Sequence, residues 1–237
     1  PGQTGSCVVM VTPDAERSMS TYLGVSAELD HTALYAQDIA DTRIYYMEGY
    51  LAASPTGLQA ALLGRQIALD AGVALATTLS DVSMINFCRP GLEAIIGQGL
   101  DYLFCNEEEA QVWCGTNDLH RISQQISKLA RTVCLTRGPQ GCVVLEGNQQ
   151  TTVPTSPVHA IDTNGAGDMF AGAFLYAATH GHSHAEAAWL ANQAAGQVVR
   201  QYGNRLTPDI LGRIKIQAEV RRHPDRVPLM KTKDLSR

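Results

Sequence analysis

Residues 162–174 read Asp-Thr-Asn-Gly-Ala-Gly-Asp-Met-Phe-Ala-Gly-Ala-Phe. Two glycines and two aspartates run straight into an Ala-rich apolar segment. Just before them, Val158-His159-Ala160-Ile161 is strand-like, and from Met169 onward the pattern is helical. The stretch therefore predicts a strand-to-helix turn with Gly165-Ala166-Gly167-Asp168 at the helix N-terminus. Backbone N–H groups there have no helical partner, and the helix dipole favours negative charge. Glycine lets an anion approach the backbone closely. The dipole alone is reason enough for an acidic residue in the first turn, such as Asp168. Beside a phosphoryl group in transfer, the same carboxylate is placed to take a proton from a hydroxyl.

Outward from that turn, strand and helix signals alternate. Residues 6–12 (SCVVMVT) and 16–23 (ERSMSTYL) flank Pro13-Asp14-Ala15 and predict a β-hairpin. An amphipathic stretch over about 30–41 leads into the Tyr-rich RIYYMEGYL of residues 43–51. Ser54-Pro55 opens a helix running to about residue 71, since proline fits a first turn. VALATTL (73–79) is a buried-strand candidate, followed by a helix over about 90–98 and the strand YLFC (102–105). Helices are expected at about 107–114 and 118–130, then strands VCLT (133–136) and GCVVL (141–145) around a Gly-Pro turn. Two Ala- and Gly-rich helices share residues 168–202, broken at His180-Gly181-His182. This alternation predicts an α/β fold with a mainly parallel sheet. Three parts result: a hairpin region (1–29), an α/β core (30–211), and a terminal helix ending near Arg222 with a loose basic tail (212–237).

Composition narrows the classes. The 237 residues are 45% apolar and 17% charged, with a formal charge of −5, so the chain as a whole is not a basic nucleic-acid binder. No apolar run reaches the length of a membrane span, and no signal-peptide pattern is visible. The six cysteines form no CxxC pair, and several lie in apolar strand-like runs. They read as buried reduced thiols of a cytoplasmic protein, not as a zinc or disulfide framework. His180, His182 and His184 alternate with Gly181 and Ser183, and a polar interhelical loop is the better reading than a metal site. GxxxxGK[ST] is absent from the sequence, so phosphate chemistry needs a different cradle.

Three further stretches carry candidate chemistry. Asn106-Glu107-Glu108-Glu109 follows the YLFC strand. Asn106 fits an N-cap and Glu109 its capping-box partner. The same carboxylates stand at a strand's C-terminal end, where open α/β sheets bind ligands, and suit Mg²⁺ held through water. Thr136-Arg137-Gly138-Pro139-Gln140-Gly141 is a turn that also offers a hydroxyl, N–H groups and a cation to a nucleotide phosphate. In Glu16-Arg17-Ser18-Met19, Arg17 taken alone reads as a surface residue.

The order of these stretches is more informative than any one of them. NEEEA, TRGPQG, DTNGAGD and then Ala191-Asn192-Gln193-Ala194-Ala195 together resemble the ribokinase-like (PfkB) family of carbohydrate and nucleoside kinases. DTNGAGD together with TGSCVVMVTPDAERSMSTYLG (4–24) resembles the adenosine kinase branch most. The resemblance runs from about residue 4 to residue 208. It implies a doubly wound α/β sheet with a small β lid. It implies Asp168 as catalytic base and the N–H groups of residues 165–168 (Gly165, Ala166, Gly167, Asp168) as an anion hole. By the same resemblance Asn106 and Glu109 organise Mg²⁺ and its water on ATP, and Thr136 and Gly138 contact ATP. Asn192 lines the adenine pocket, Asp162 lies in a loop that holds a monovalent cation such as K⁺, and Arg17 and Leu23 lie in the lid over the substrate. The family's N-terminal substrate-binding aspartate and Gly-Gly hinge have no counterpart in these residues, and Ser83 falls where some adenosine kinases stack an aromatic. The implied reaction is ATP- and Mg²⁺-dependent phosphorylation of a primary hydroxyl on a nucleoside, adenosine in the first instance. The alternatives are a sugar such as ribose or fructose, or a non-catalytic regulatory protein on a retained kinase fold. The expected partner is that small molecule, with no nucleic acid and no membrane; monomer or homodimer stays open.

Overall fold

The computed structural model describes residues 2–15 and 17–222; Glu16 and the basic tail expected after residue 222 lie outside them. The chain opens with the expected hairpin, β1 (Thr4–Val11) antiparallel to β2 (Arg17–Gly24), forming its own two-stranded sheet. A short helix α1 (Ala36–Ala40) then leads into β3 (Ile44–Met47). From there the chain runs α2 (Pro55–Asp70), β4 (Ala74–Thr78), α3 (Val82–Ile96), β5 (Leu100–Asn106), α4 (Glu107–Cys114), α5 (Leu119–Ile126) and β6 (Ala130–Thr136). β7 (Cys142–Glu146), β8 (Gln149–Val153), α6 (Ala166–Thr179), α7 (His184–Val198) and α8 (Pro208–Arg222) complete it.

The main sheet takes its strands in chain order, β3-β4-β5-β6-β7-β8. β3 to β6 are parallel, and β7 and β8 are added antiparallel. Parallel crossovers are right-handed, and each one here steps to the next strand in the same direction. The intervening helices must therefore land on one face. Side chains of the strands alternate between the faces with the two-residue period of a pleated chain. Leu75, Leu103, Val133, Leu135 and Val143 join one core with Ile95 of α3, Trp113 of α4 and Ile122 of α5. Ala76, Phe104, Cys134 and Val144 join the other with Phe174 of α6, Ala191 of α7 and Ile214 of α8. The result is the expected doubly wound, mainly parallel α/β architecture with a small hairpin.

Local chemistry explains where elements begin and end. Ser54 caps α2 by accepting from the Gly57 amide at 3.0 Å, with Pro55 in the first turn. The helix expected over 90–98 starts earlier, at Val82, because Asp81 caps it by accepting from Ser83 N at 2.6 Å. It kinks at Cys88, just ahead of Pro90, where proline disfavours helical geometry in the residues before it. The helix expected over 118–130 stops at Ile126, and the chain is back in a strand by Ala130. Residues 158–161 form no strand. Pro154 and Pro157 remove donors nearby, and Ile161 N bonds instead to Val199 O at 2.7 Å. The edge strand β8 was not foreseen, although its Gly147-Asn148 link to β7 is a two-residue hairpin loop. The terminal helix begins at Pro208, not 212, and Ile214 and Ala218 bury in the second core. Cys105, Cys134 and Cys142 are buried thiols as expected, but Cys7 is exposed on β1.

Phe174 is fully buried at the centre of the second core, with ring centroids 5.6 Å from Phe104, 6.0 Å from Tyr102 and 6.3 Å from Phe170. Phe174→Ala should lower unfolding stability by about 3–5 kcal/mol, read from the urea midpoint.

Candidate active site

The parallel strands end on one rim of the sheet. Glu48 follows β3, Ser80 and Asp81 follow β4, Asn106 ends β5 and Thr136 ends β6, with Asn106 and Thr136 paired in register. Asn106 caps α4. Its Oδ1 accepts from Glu109 N at 2.8 Å, while Glu109 accepts from Asn106 N at 3.0 Å and from Asn106 Nδ2 at 2.8 Å. The capping box is thus complete, and it holds a carboxylate that is only 6% exposed. Burial pushes the Glu109 carboxyl up to about 7; the Asn106 amide opposes this, Asp81 and Glu108 add to it, and Arg17 eases it.

Glu48 was missed by sequence reasoning. Its carboxyl is raised by burial and then by the charge of Asp168, against hydrogen bonds from Tyr46 and Ser80. Ser80 Oγ lies 3.5 Å from Glu48 Oε2, and Ser80 adopts a left-handed φ of 69°. The chains approach closely here, since a Cβ on Gly49 would sit 2.5 Å from Ser80 Oγ. Tyr46, two residues before Glu48 on the same strand face, is raised by burial and then by Glu48. Burial and then the Asp81 charge raise the Tyr50 phenol to about 12, against the pull of Arg17. The signal for Glu48 and Asp81 was present: an acidic residue just past a parallel strand, as in YYMEG and TTLSD.

Asp168 reaches this rim from α6. Gly165 is the N-cap, with φ 75°, and a Cβ there would meet Asn204 Cβ at 2.4 Å. Among the described residues no side chain caps α6. One amide of the expected anion hole is already engaged, because Ala166 N donates to Thr163 O at 3.2 Å. The amides of Gly167 and Asp168, in the helix's first turn, have no helical acceptor. The preceding loop is held by Asp162, which is 4% exposed and accepts from Asn164 N at 2.8 Å and Gly203 N at 3.1 Å.

The remaining candidates divide. Arg17 Nη1 donates to Thr163 Oγ1 at 3.3 Å, and its charge is felt at Glu109 and Tyr50, so it belongs to the site. Leu23 is exposed six residues further along β2, about 20 Å away along the strand, and is not brought to the rim. Thr136 Oγ1 donates to Cys105 O at 3.4 Å, and Gly138 takes a φ of 52° in the following turn. The neighbouring Arg137 is paired with Glu107 through contacts of 3.1 and 3.4 Å. Asn192 is buried, and its Nδ2 donates to Val153 O at 3.0 Å, tying α7 to the end of β8. His182 and His184 pair with Glu219 at 3.5 Å and Glu146 at 2.6 Å, and His180 bonds to Tyr176 O at 2.6 Å.

Among the described residues no three His, Cys, Asp or Glu converge to bind a metal directly. The rim instead gathers the carboxylates of Glu48, Asp81, Glu109 and Asp168, with Arg17 as the cation acting on Glu109. Such an excess of hard oxygen donors suits Mg²⁺ that keeps its water.

A family model described as pfkB family carbohydrate kinase matches residues 2–210. The chain belongs to this pfkB family. Among curated relatives it is 26% identical over 224 residues to an adenosine kinase of Schizophyllum commune, covering 85% of this chain and 64% of that protein. It is 25% identical over 218 residues to an uncharacterized sugar kinase, YegV, of Escherichia coli K12, covering 87% of this chain and 64% of that protein. The solved structure of adenosine kinase from Sinorhizobium meliloti superposes with a TM-score of 0.86 at 32% identity, over 90% of this chain and 65% of that one. This pfkB-family chain thus spans under two thirds of the length of these relatives. Among its described residues no helix is long and apolar enough to cross a membrane.

Two outcomes follow from the geometry. Because the folded state holds the Glu109 proton up to about 7, above the ordinary 4.5, folding is favoured below about pH 4.5 and loses that advantage as pH rises through 7. The loss is on the order of 3 kcal/mol, and Glu109→Gln should flatten this part of a Tm-against-pH profile. Among the described residues, apart from its chain neighbours and the backbone of its own helix, no heavy atom lies within 4 Å of a Cβ built on Gly167. Gly167→Ala should therefore keep or raise Tm, by up to ~1 kcal/mol of stability, while weakening anion binding measured by calorimetry.

Proposed function

We propose that the protein is an ATP- and Mg²⁺-dependent kinase that transfers the γ-phosphoryl group to a primary hydroxyl of a nucleoside, adenosine first. The observation that carries this reading is Asp168, in the first turn of an uncapped helix, set against the carboxylate rim at the strand ends. Asp168 takes the proton of the acceptor hydroxyl as its oxygen attacks phosphorus. The amides of Gly165, Gly167 and Asp168 hold the oxygens of the transferring group. Mg²⁺, when bound, supplies charge neutralisation across the phosphates. Asn106 and Glu109 would hold its water, and Thr136 and Gly138 would flank the nucleotide.

Asn192 backs the adenine side through its tie to Val153, and Asp162 shapes the loop where K⁺ would act. Glu48 orients the acceptor hydroxyl beside Asp168. The hairpin carrying Arg17 and Leu23 excludes water, so that ATP is not hydrolysed idly. In this reading the enzyme is cytoplasmic. A sugar acceptor is the second reading, favoured by the likeness to YegV and by Ser83, which offers no aromatic ring.

The test is coupled phosphoryl transfer from Mg-ATP by the full-length protein to adenosine, inosine, guanosine, ribose and fructose. Asp168→Asn should lower kcat by about 10²–10⁴-fold and leave Tm and ATP affinity nearly unchanged. Parent-like turnover in that variant removes Asp168 as base. Transfer to sugars alone changes the acceptor, and transfer to none favours a non-catalytic regulatory protein.

A further inference from the structure

The tip of the hairpin and the loop before α6 are 148 residues apart in sequence and meet at one backbone carbonyl. Ala15 O accepts from Thr163 Oγ1 at 3.0 Å and from Thr163 N at 3.4 Å. Arg17 Nη1 donates to the same Thr163 Oγ1 at 3.3 Å. Ala15 is 3% exposed, although its described neighbours in the turn are exposed. It holds a φ of 66°, a left-handed conformation that alanine disfavours. Ala15 N closes the turn onto Thr12 O at 2.9 Å. A strained residue persists where its surroundings over-determine it, and here the surroundings are Thr163.

Thr163 faces both ways. Its hydroxyl and amide reach the hairpin, and its carbonyl accepts Ala166 N, the first helical residue of α6. Asp162 on one side is held by the Gly203 amide, and on the other Gly165 leaves no room for a Cβ beside Asn204. Displacing the hairpin removes the hydroxyl's acceptor and the arginine's partner in one step.

We propose that Thr163 is a positioning residue that latches the hairpin to the anion loop, so that seating of the hairpin and the shape of residues 163–168 are one equilibrium. The proposal deepens the kinase reading and rests on it for its catalytic consequence. With the hairpin lifted, the loop relaxes, transfer to the acceptor slows and water reaches the site; with it seated, Arg17 and the loop amides are presented together and water is excluded.

The test is amide hydrogen exchange on the full-length protein. Thr163→Val keeps the shape and removes the O–H. It should quicken exchange in residues 4–24 and 163–168 together by about five- to tenfold, the weight of one or two hydrogen bonds. Strands β4 to β6 should be unchanged. Thr163→Ser should restore the parent pattern. Arg17→Ala, on an exposed strand, should raise exchange in the same two segments by about twofold. In turnover, Thr163→Val should lower kcat and raise the ratio of ATP hydrolysis to transfer, and Thr163→Ser should reverse both. Faster exchange in one segment alone, in neither, or uniformly across the chain overturns the latch. Coupled exchange in a protein that phosphorylates no acceptor supports the latch and sinks the kinase reading instead.

Discussion

The site depends on the buried carboxylate of Asp162. A charge withdrawn from water is tolerated only when hydrogen bonds replace the water. Here the Asn164 amide serves one oxygen and the Gly203 amide the other. Together they bend the chain just before α6 and fasten it to the turn after α7. Ile161 and Asp162 give their own amides to Val199 O, so the segment belongs to α7 and not to the sheet. The left-handed Gly165, with no room for a Cβ beside Asn204, and the open first turn of α6 follow from that bend.

On the rim itself the electrostatics run against stability. Burial raises both Glu48 and Glu109; the charge of Asp168 adds to this at Glu48, those of Asp81 and Glu108 add at Glu109, and Arg17 relieves only part of it at Glu109. The frame around them is specific: a complete capping box holds Glu109, and Tyr46 and Ser80 hydrogen-bond Glu48. Groups with displaced protonation gather at sites that handle charge. In the proposed kinase reading the rim is the place for cations, and the neighbouring helix start the place for an anion.

How much was legible in the sequence depended on whether the information was local. The capping box of Asn106 and Glu109, the helix opened by Ser54-Pro55, and α4 itself are written in neighbouring residues, and the structure has them. The strand expected at 158–161 failed because its apolar pattern answers to α7, a partner 38 residues ahead of Ile161, and not to another strand. β8 was lost because QQTTV has one buried residue, as an edge strand permits. Arg17 looked like surface because its importance lies in Thr163, 146 residues away. Glu48 and Asp81 each carry a local signal, an acidic residue just past a strand, but only the parallel register of β3, β4 and β5 brings them to one rim.

The strictly sequential order of the main sheet has a consequence for synthesis. Each strand from β3 to β8 finds its neighbour in the one just made, so the sheet can assemble as the chain leaves the ribosome, with short loops to close. The helices made along the way shield only one side. Ala76, Phe104, Cys134 and Val144 on the other side wait in water until α6 begins at Ala166, 22 residues after Val144 but 90 after Ala76, and until α7 follows it. For that interval the nascent chain carries a broad apolar sheet face, which makes it a natural client for chaperones and leaves the last third of the chain to decide between folding and aggregation.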